Sequence, residues 1–88
     1  MMISIGFKNY VNLDRIVSII APNSKPIKNM ITSARENGKL VDATMGKKTK
    51  SVIITNSDHI VLSANLPDTI VHRIHELTNR ISEDESGQ

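Results

Sequence analysis

Alternating apolar and polar positions predict strands in the first part of the chain. In the segment Ile3–Phe7, apolar residues alternate with small or polar ones, which is the period-two pattern of a short strand. A β-branched stretch over 15–21 predicts a second strand that ends at Pro22, because proline cannot donate a hydrogen bond to a sheet ladder. A helix beginning at Asn12 also fits part of this stretch, but its β-branched content favours the strand.

Three more strands are predicted in the middle of the chain. Period-two alternation over 41–45 predicts a strand that ends at a loop over 46–50. A run of β-formers over 51–55 predicts a strand that is buried on both faces. The turn-forming residues 56–58 then reverse the chain, so residues 59–64 are expected to return antiparallel. The three strands are therefore predicted to form a β-meander.

Two helices are predicted from their caps and their apolar stripes. Ser24 is a good N-cap, and Pro26 fits a first helical turn, where backbone N–H groups have no partners. Apolar residues then recur at helical spacing until Gly38, which is expected to end the helix in the left-handed conformation. A second helix begins near Asp68, because a carboxylate suits the positive end of a helix, and its apolar face continues to Ile81.

These elements give the order ββαβββα in one small α+β domain over residues 1–81, with a largely antiparallel sheet and two helices. The segment 82–88 has no apolar residue to bury and is predicted to be a disordered acidic tail. The absence of cysteine excludes disulfides, thiolate metal sites and cysteine nucleophiles. No signal peptide or membrane span is evident, so the expectation is a cytoplasmic protein.

Positive charge is concentrated in one block of the chain. The net charge is only +2, but residues 25–50 contain seven basic residues and two acidic ones. A concentrated positive field suits a polyanionic partner, and Lys47, Lys48 and Lys50 in one tight loop indicate phosphate binding. A solvated lysine surface that only keeps the protein in solution explains the same composition, so that alternative stays open.

Candidate catalytic and metal-binding groups are few. Asp58 and His59 are adjacent, but neighbouring side chains of a strand point to opposite faces, so a turn-capping Asp58 is the better interpretation. His72, His75 and Glu76 share a helix face at the spacing of metal ligands, yet no further strong ligand accompanies them. We therefore expect no enzymatic activity, no cofactor and no metal.

Several short motifs occur in a characteristic order along the chain. They are Ile5-Gly6-Phe7, Asp14-Arg15-Ile16, Pro26-Ile27-Lys28, Asp42-Ala43-Thr44, Gly46-Lys47-Lys48-Thr49-Lys50 and Ser57-Asp58-His59-Ile60-Val61-Leu62-Ser63-Ala64. In this combination the chain resembles the RemA family, bacterial regulators of extracellular-matrix genes, from Ile3 to about Ile74. The resemblance implies a small non-enzymatic DNA-binding protein, associated with the nucleoid, that assembles into homo-oligomeric rings and activates matrix genes in biofilm-forming bacteria.

The resemblance also implies roles for individual residues. The family's basic loop falls on Lys47, Lys48 and Lys50, its arginine near the second strand on Arg15, and its proline of the first helical turn on Pro26. Family members typically carry arginines at the three loop positions, and lysine lacks the planar fork that grips bases in pairs. Met45 stands where an aromatic residue is expected. The resemblance therefore supports DNA binding more firmly than sequence specificity.

The predicted mechanism is a weak phosphate clamp that a ring repeats. The clamp consists of Lys47, Lys48, Lys50, Arg15, Lys25 and Lys28. Repetition around a closed ring makes weak contacts avid and allows duplex DNA to be bent or wrapped. Pro26 serves either the helix start or a subunit contact. Two other classes stay open. One is an RNA-binding module, although the scarcity of aromatic residues argues against it. The other is a structural oligomeric scaffold that binds no nucleic acid.

Overall fold

The computed structural model describes residues 1–86, with side chains for residues 1–80. The elements in chain order are β1 (Met2–Gly6), β2 (Asn9–Asn12), a 3₁₀ turn (Leu13–Arg15), β3 (Ile16–Ile20), α1 (Lys25–Glu36), β4 (Leu40–Asp42), β5 (Ser51–Thr55), β6 (Ile60–Ser63) and α2 (Pro67–Ser86). The predicted α+β class with two helices is confirmed, and the order ββαβββα holds apart from one additional strand, β2. No helix among the described residues is long and apolar enough to cross a membrane.

The additional strand β2 pairs antiparallel with β1 in a hairpin. Phe7 and Lys8 form its turn, with φ values of 53° and 63°, and Gly6 precedes them at 101°. Positive φ at both central residues gives a turn the twist that neighbouring strands require. The usual sequence signal for this turn is Asn-Gly or Asp-Gly, which is absent here, so the pattern of the sequence did not reveal the hairpin.

The other four strands form one sheet in the order β3-β5-β6-β4. β5 pairs antiparallel with both β3 and β6, whereas β4 pairs parallel with β6. The predicted meander is therefore wrong, because β4 does not lie beside β5. The strand predicted over 41–45 also ends early, because β4 stops at Asp42. The N–H of Ala43 then donates to the carbonyl of Leu62 at 2.9 Å. The chain then crosses the end of β6 before it enters β5.

The four-stranded sheet separates two apolar clusters. The face that packs against the hairpin and α2 contributes to a buried cluster of Ile3, Ile5, Ala43, Ile53, Val61 and Ile70. The face that packs against α1 contributes to a buried cluster of Ala34, Val52, Ile60 and Leu62. Successive residues of β5 and β6 point to opposite faces, so both strands are covered on two sides. The prediction that segment 51–55 is buried on both faces is confirmed.

Both helices begin as the sequence predicted. In α1, the Oγ of Ser24 accepts a hydrogen bond from the N–H of Ile27 at 3.4 Å, and Gly38 follows the helix with φ of 69°. Helix α2 continues beyond Ile81 and includes residues 82–86, which are part of the predicted acidic tail. Residues 87 and 88 lie outside the described part of the chain. The division into a domain over 1–81 and a disordered tail over 82–88 stays a prediction.

Candidate nucleic-acid interface

One end of the four-stranded sheet gathers most of the predicted site. The pairs Ile20–Val52 and Ser51–Ser63 place the last residues of β3 and β6 beside the first residues of β5, and the pair Asp42–Leu62 places the end of β4 beside the end of β6. The loop over 43–50 and the connection from β3 to α1 both leave from this end. We call this end of the sheet the basic end and define it by six exposed lysines, Lys8, Lys25, Lys28, Lys47, Lys48 and Lys50.

Hydrogen bonds hold the backbone of the loop over 43–50, which we call the lysine loop. Thr44 is buried and donates two hydrogen bonds to Oδ1 of Asp42, from its hydroxyl at 2.6 Å and from its N–H at 2.9 Å. Because these bonds stabilise the carboxylate, they hold the pKa of Asp42 below its ordinary value. The N–H of Lys47 donates to the carbonyl of Thr44 at 3.0 Å, and the N–H of Lys50 donates to the carbonyl of Ser63 at 2.9 Å. The backbone is therefore held at both ends of the loop while the lysine side chains remain in solvent.

The first turn of α1 adds two lysines to the basic end. Lys25 is the first helical residue, Pro26 the second, and Lys28 follows one turn after the N-cap. Pro26 causes no loss of helical hydrogen bonds here, because the first N–H groups of a helix have no partner within the helix. This turn contains no acidic residue, so the partial positive charge of the helix N-terminus adds to that of the two lysines.

The β1–β2 turn also lies at the basic end, which sequence reasoning missed. The Oγ of Ser63 donates a hydrogen bond to the carbonyl of Ile5 at 2.7 Å, which ties the end of β1 to the end of β6. Gly6 lies so close to Asn65 that a Cβ on this glycine would be 3.0 Å from the amide oxygen. These contacts bring Lys8, at the tip of the hairpin, to the same end as the lysine loop. A hairpin signal over residues 3–12 would have been needed to find it.

Arg15 is not part of the basic end in a single protomer. It immediately precedes β3, and its carbonyl accepts a hydrogen bond from the N–H of Asn56 at 2.9 Å, at the opposite end of the sheet. The five residues of β3 separate it from the connection into α1, which corresponds to about 16 Å. Its guanidinium is exposed, so its role as a DNA contact or a subunit contact stays a prediction.

The electrostatic balance of the basic end is positive. Two carboxylates, Asp42 and Asp68, accompany the six lysines. Asp42 is engaged by Thr44, and Asp68 lies in the first turn of α2, where it compensates the helix dipole. The excess of exposed ammonium groups therefore attracts anions, with a strength that decreases as salt screens the charges.

The other candidate groups have structural partners. Asp58 has a φ of 67° in the turn between β5 and β6, and Nδ1 of His59 lies 3.1 Å from Oγ of Ser57. His72 and Glu76 form an exposed pair on α2, with Nε2 and Oε1 3.2 Å apart. Among the described residues, no group of three His, Cys, Asp or Glu side chains is arranged to hold a metal ion.

Comparison with known proteins gives the family. Residues 2–74 match a family described as RemA-like, extracellular matrix regulatory protein A-like. A relative from Oceanobacillus iheyensis is 58% identical over 73 residues, which cover 83% of this chain and 85% of the relative. A relative from Desulforudis audaxviator is 56% identical over 73 residues, 83% of this chain and 77% of the relative. One from Symbiobacterium thermophilum is 47% identical over 89 residues, 99% of this chain and 94% of the relative. All three relatives carry the provisional name of a regulatory protein. The chain therefore belongs to the RemA-like family of regulatory proteins.

Proposed function

We propose that this chain is a non-enzymatic DNA-binding transcriptional regulator that acts as a homo-oligomeric ring in the cytoplasm, at the nucleoid. The genes it activates are those of the extracellular matrix and of biofilm formation, in keeping with the description of its family. The observation that carries the proposal is the convergence of six exposed lysines, from three separate segments, at one end of the sheet.

Lysines in this arrangement suit the phosphates of duplex DNA. Each ammonium group that neutralises a phosphate releases a condensed counterion, and the gain does not depend on base sequence. The loop lysines extend from a backbone that is held at Thr44 and Ser63, so less loop freedom is lost on binding than in a free segment. The uncompensated N-terminus of α1 adds a further site for a phosphate oxygen.

The edges of the sheet support a ring. β3 and β4 form opposite edges of the sheet, and each carries an exposed valine, Val17 at 63% and Val41 at 48% exposure. Edge strands offer backbone groups that can pair with another chain. Because β3 and β4 run parallel, the β3 edge of one protomer can meet the β4 edge of the next by a head-to-tail contact, which closes into a ring under cyclic symmetry. Every basic end then has an equivalent position, and weak clamps become avid.

The test is the salt dependence of DNA binding by a variant of the loop. We would replace Lys47 and Lys48 with alanine and measure fluorescence anisotropy of a labelled duplex at several salt concentrations. The variant is expected to bind more weakly. The fall of log affinity with log salt should become less steep, by about 0.9 for each phosphate that is no longer neutralised. Light scattering should give the same large assembly for variant and wild type.

A matched control removes two positive charges from elsewhere. Replacement of Lys39 and Arg80, two exposed residues that lie outside the basic end, changes the net charge by the same amount. Equal decreases in affinity in the two double variants would mean that net charge alone attracts DNA, which would overturn the proposed site. Binding of single-stranded RNA in preference to duplex DNA would indicate an RNA-binding module. Absence of nucleic-acid binding at every salt concentration would indicate a scaffold.

A further inference from the structure

Met45 is an unusual residue in the lysine loop. Its exposure of 71% is the highest of the exposed large hydrophobic side chains in the described part of the chain. Its φ of 53° lies in the left-handed region, a backbone conformation that is unfavourable for residues other than glycine, asparagine and aspartate. An apolar side chain in solvent on a strained backbone is unfavourable on both counts, so a contact with a binding partner would give this residue a role.

The surroundings of Met45 hold it outward. Ala43 and Thr44, which precede it, are both buried, and the N–H of Ala43 donates to the carbonyl of Leu62 at 2.9 Å. The bond from the N–H of Lys47 to the carbonyl of Thr44, at 3.0 Å, closes a turn with Met45 at its tip. Strained residues that the surrounding structure over-determines are typical of functional sites.

We propose that Met45 inserts between neighbouring base pairs of bound duplex DNA and partly unstacks them. This inference rests on the proposed function and assigns the loop a second kind of contact. Lys47 and Lys48 follow Met45 within three residues, so ammonium groups and an apolar tip project from one short turn. Phosphate contacts by the lysines position the loop, while the thioether, a long unbranched side chain, contacts base faces. Apolar wedges of this kind bend duplexes by opening a base step.

The wedge also predicts a sequence preference without hydrogen bonds to base edges. Steps such as TA and CA unstack at lower cost than other steps, so a wedge favours duplexes that place one of them at the loop. Such a preference suits a loop whose lysines lack the planar fork of arginine. A ring would repeat the wedge at regular intervals, and the bends would add in one direction where that interval matches the helical repeat of the duplex.

The experiment uses full-length protein and a duplex with a central TA step, a 2-aminopurine beside that step and a donor–acceptor dye pair at its ends. Wild type is expected to raise the 2-aminopurine fluorescence, which reports unstacking, and to shorten the distance between the dyes. Met45→Ala should abolish both signals and weaken binding by about tenfold for each engaged protomer. Met45→Asn should do the same, and because asparagine tolerates positive φ it keeps the loop conformation.

The matched control is Met30→Ala, which removes a methionine side chain from α1 at the groove beside β5 and β6. It should retain both signals. If wild type binds the duplex and both Met45 variants still bend and unstack it, the wedge is overturned and the proposed function stays intact. A Met45 variant with a smaller assembly by light scattering would make Met45 a subunit contact instead. Absence of duplex binding by wild type would overturn the proposed function and the wedge together.

Discussion

Removal of one hydroxyl should weaken the attachment of the β1–β2 hairpin to the sheet and so destabilise the fold. Ser63 is fully buried, and its Oγ donates to the carbonyl of Ile5 at 2.7 Å and accepts from the N–H of Asn65 at 3.0 Å. Ser63→Ala deletes both bonds at once. A buried backbone group left without a partner costs about 1–3 kcal/mol. The carbonyl of Ile5 is shielded from water, while Asn65 is only half-buried, so we expect a total loss of about 3 kcal/mol.

A loss of this size is readily measured. For a domain of this length, each kcal/mol lowers Tm by about 4–8 °C, so Ser63→Ala should lower Tm by more than about 10 °C. Urea denaturation at one fixed protein concentration gives the free energy of unfolding, because assembly makes stability depend on concentration. The slope with urea should not change, since the same surface is exposed on unfolding.

Ser33→Ala is the matched control for this experiment. Ser33 is exposed on α1, and its Oγ accepts only a long bond of 3.4 Å from the side chain of Asn37. Its replacement should change stability by less than about 0.5 kcal/mol. A similarly small effect of Ser63→Ala would refute the reasoning that this hydroxyl ties the hairpin to the sheet.

Two further predictions concern the backbone of the basic end. Thr44→Val removes the shorter bond to Asp42, so the pKa of Asp42 should rise toward its ordinary value, as NMR titration would show. Because the native pKa is lowered, this stabilisation is present above about pH 4 and disappears as Asp42 is protonated, so denaturation curves of variant and wild type should converge in acid; a constant difference would contradict the role of the carboxylate. Gly6→Ala should destabilise more than Gly46→Ala, because both glycines have positive φ but only the Cβ at Gly6 would meet a neighbour, at 3.0 Å. Equal destabilisation on heating would mean that this contact relaxes freely.

Local patterns in the sequence were sufficient to identify the main parts of the candidate site. The three lysines of the loop and the cap at Ser24 are each encoded within a few residues, so periodicity and turn chemistry located them. Their convergence at one end of the sheet could not be inferred, because it depends on which strands pair. Lys8 was missed for the same reason, since its position follows from a hairpin whose turn lacks the usual sequence signal.

The predicted meander fails before Met45, where the alternation of apolar and polar residues predicts a continuing strand. In the structure, Ala43 and Thr44 are buried although they lie outside β4, and only the three residues Leu40–Asp42 pair with β6. The alternation did not report burial here, because the apolar Val41 and Met45 are exposed whereas the polar Thr44 is buried. The position of Arg15 could not be predicted either. Its charge is visible in the sequence, whereas its distance from the lysine loop depends on how the strands pair.

By itself, the sequence determined the class of the fold, the number of helices and where they begin, and the concentration of positive charge. These features depend on residues that are close along the chain, through side-chain period, capping and turn preference. Only the tertiary structure decided the strand order β3-β5-β6-β4, the basic end and the outward position of Met45. Strand order depends on hydrogen bonds and burial between residues that are distant in sequence, such as Ser63 and Ile5, and no local pattern records that pairing.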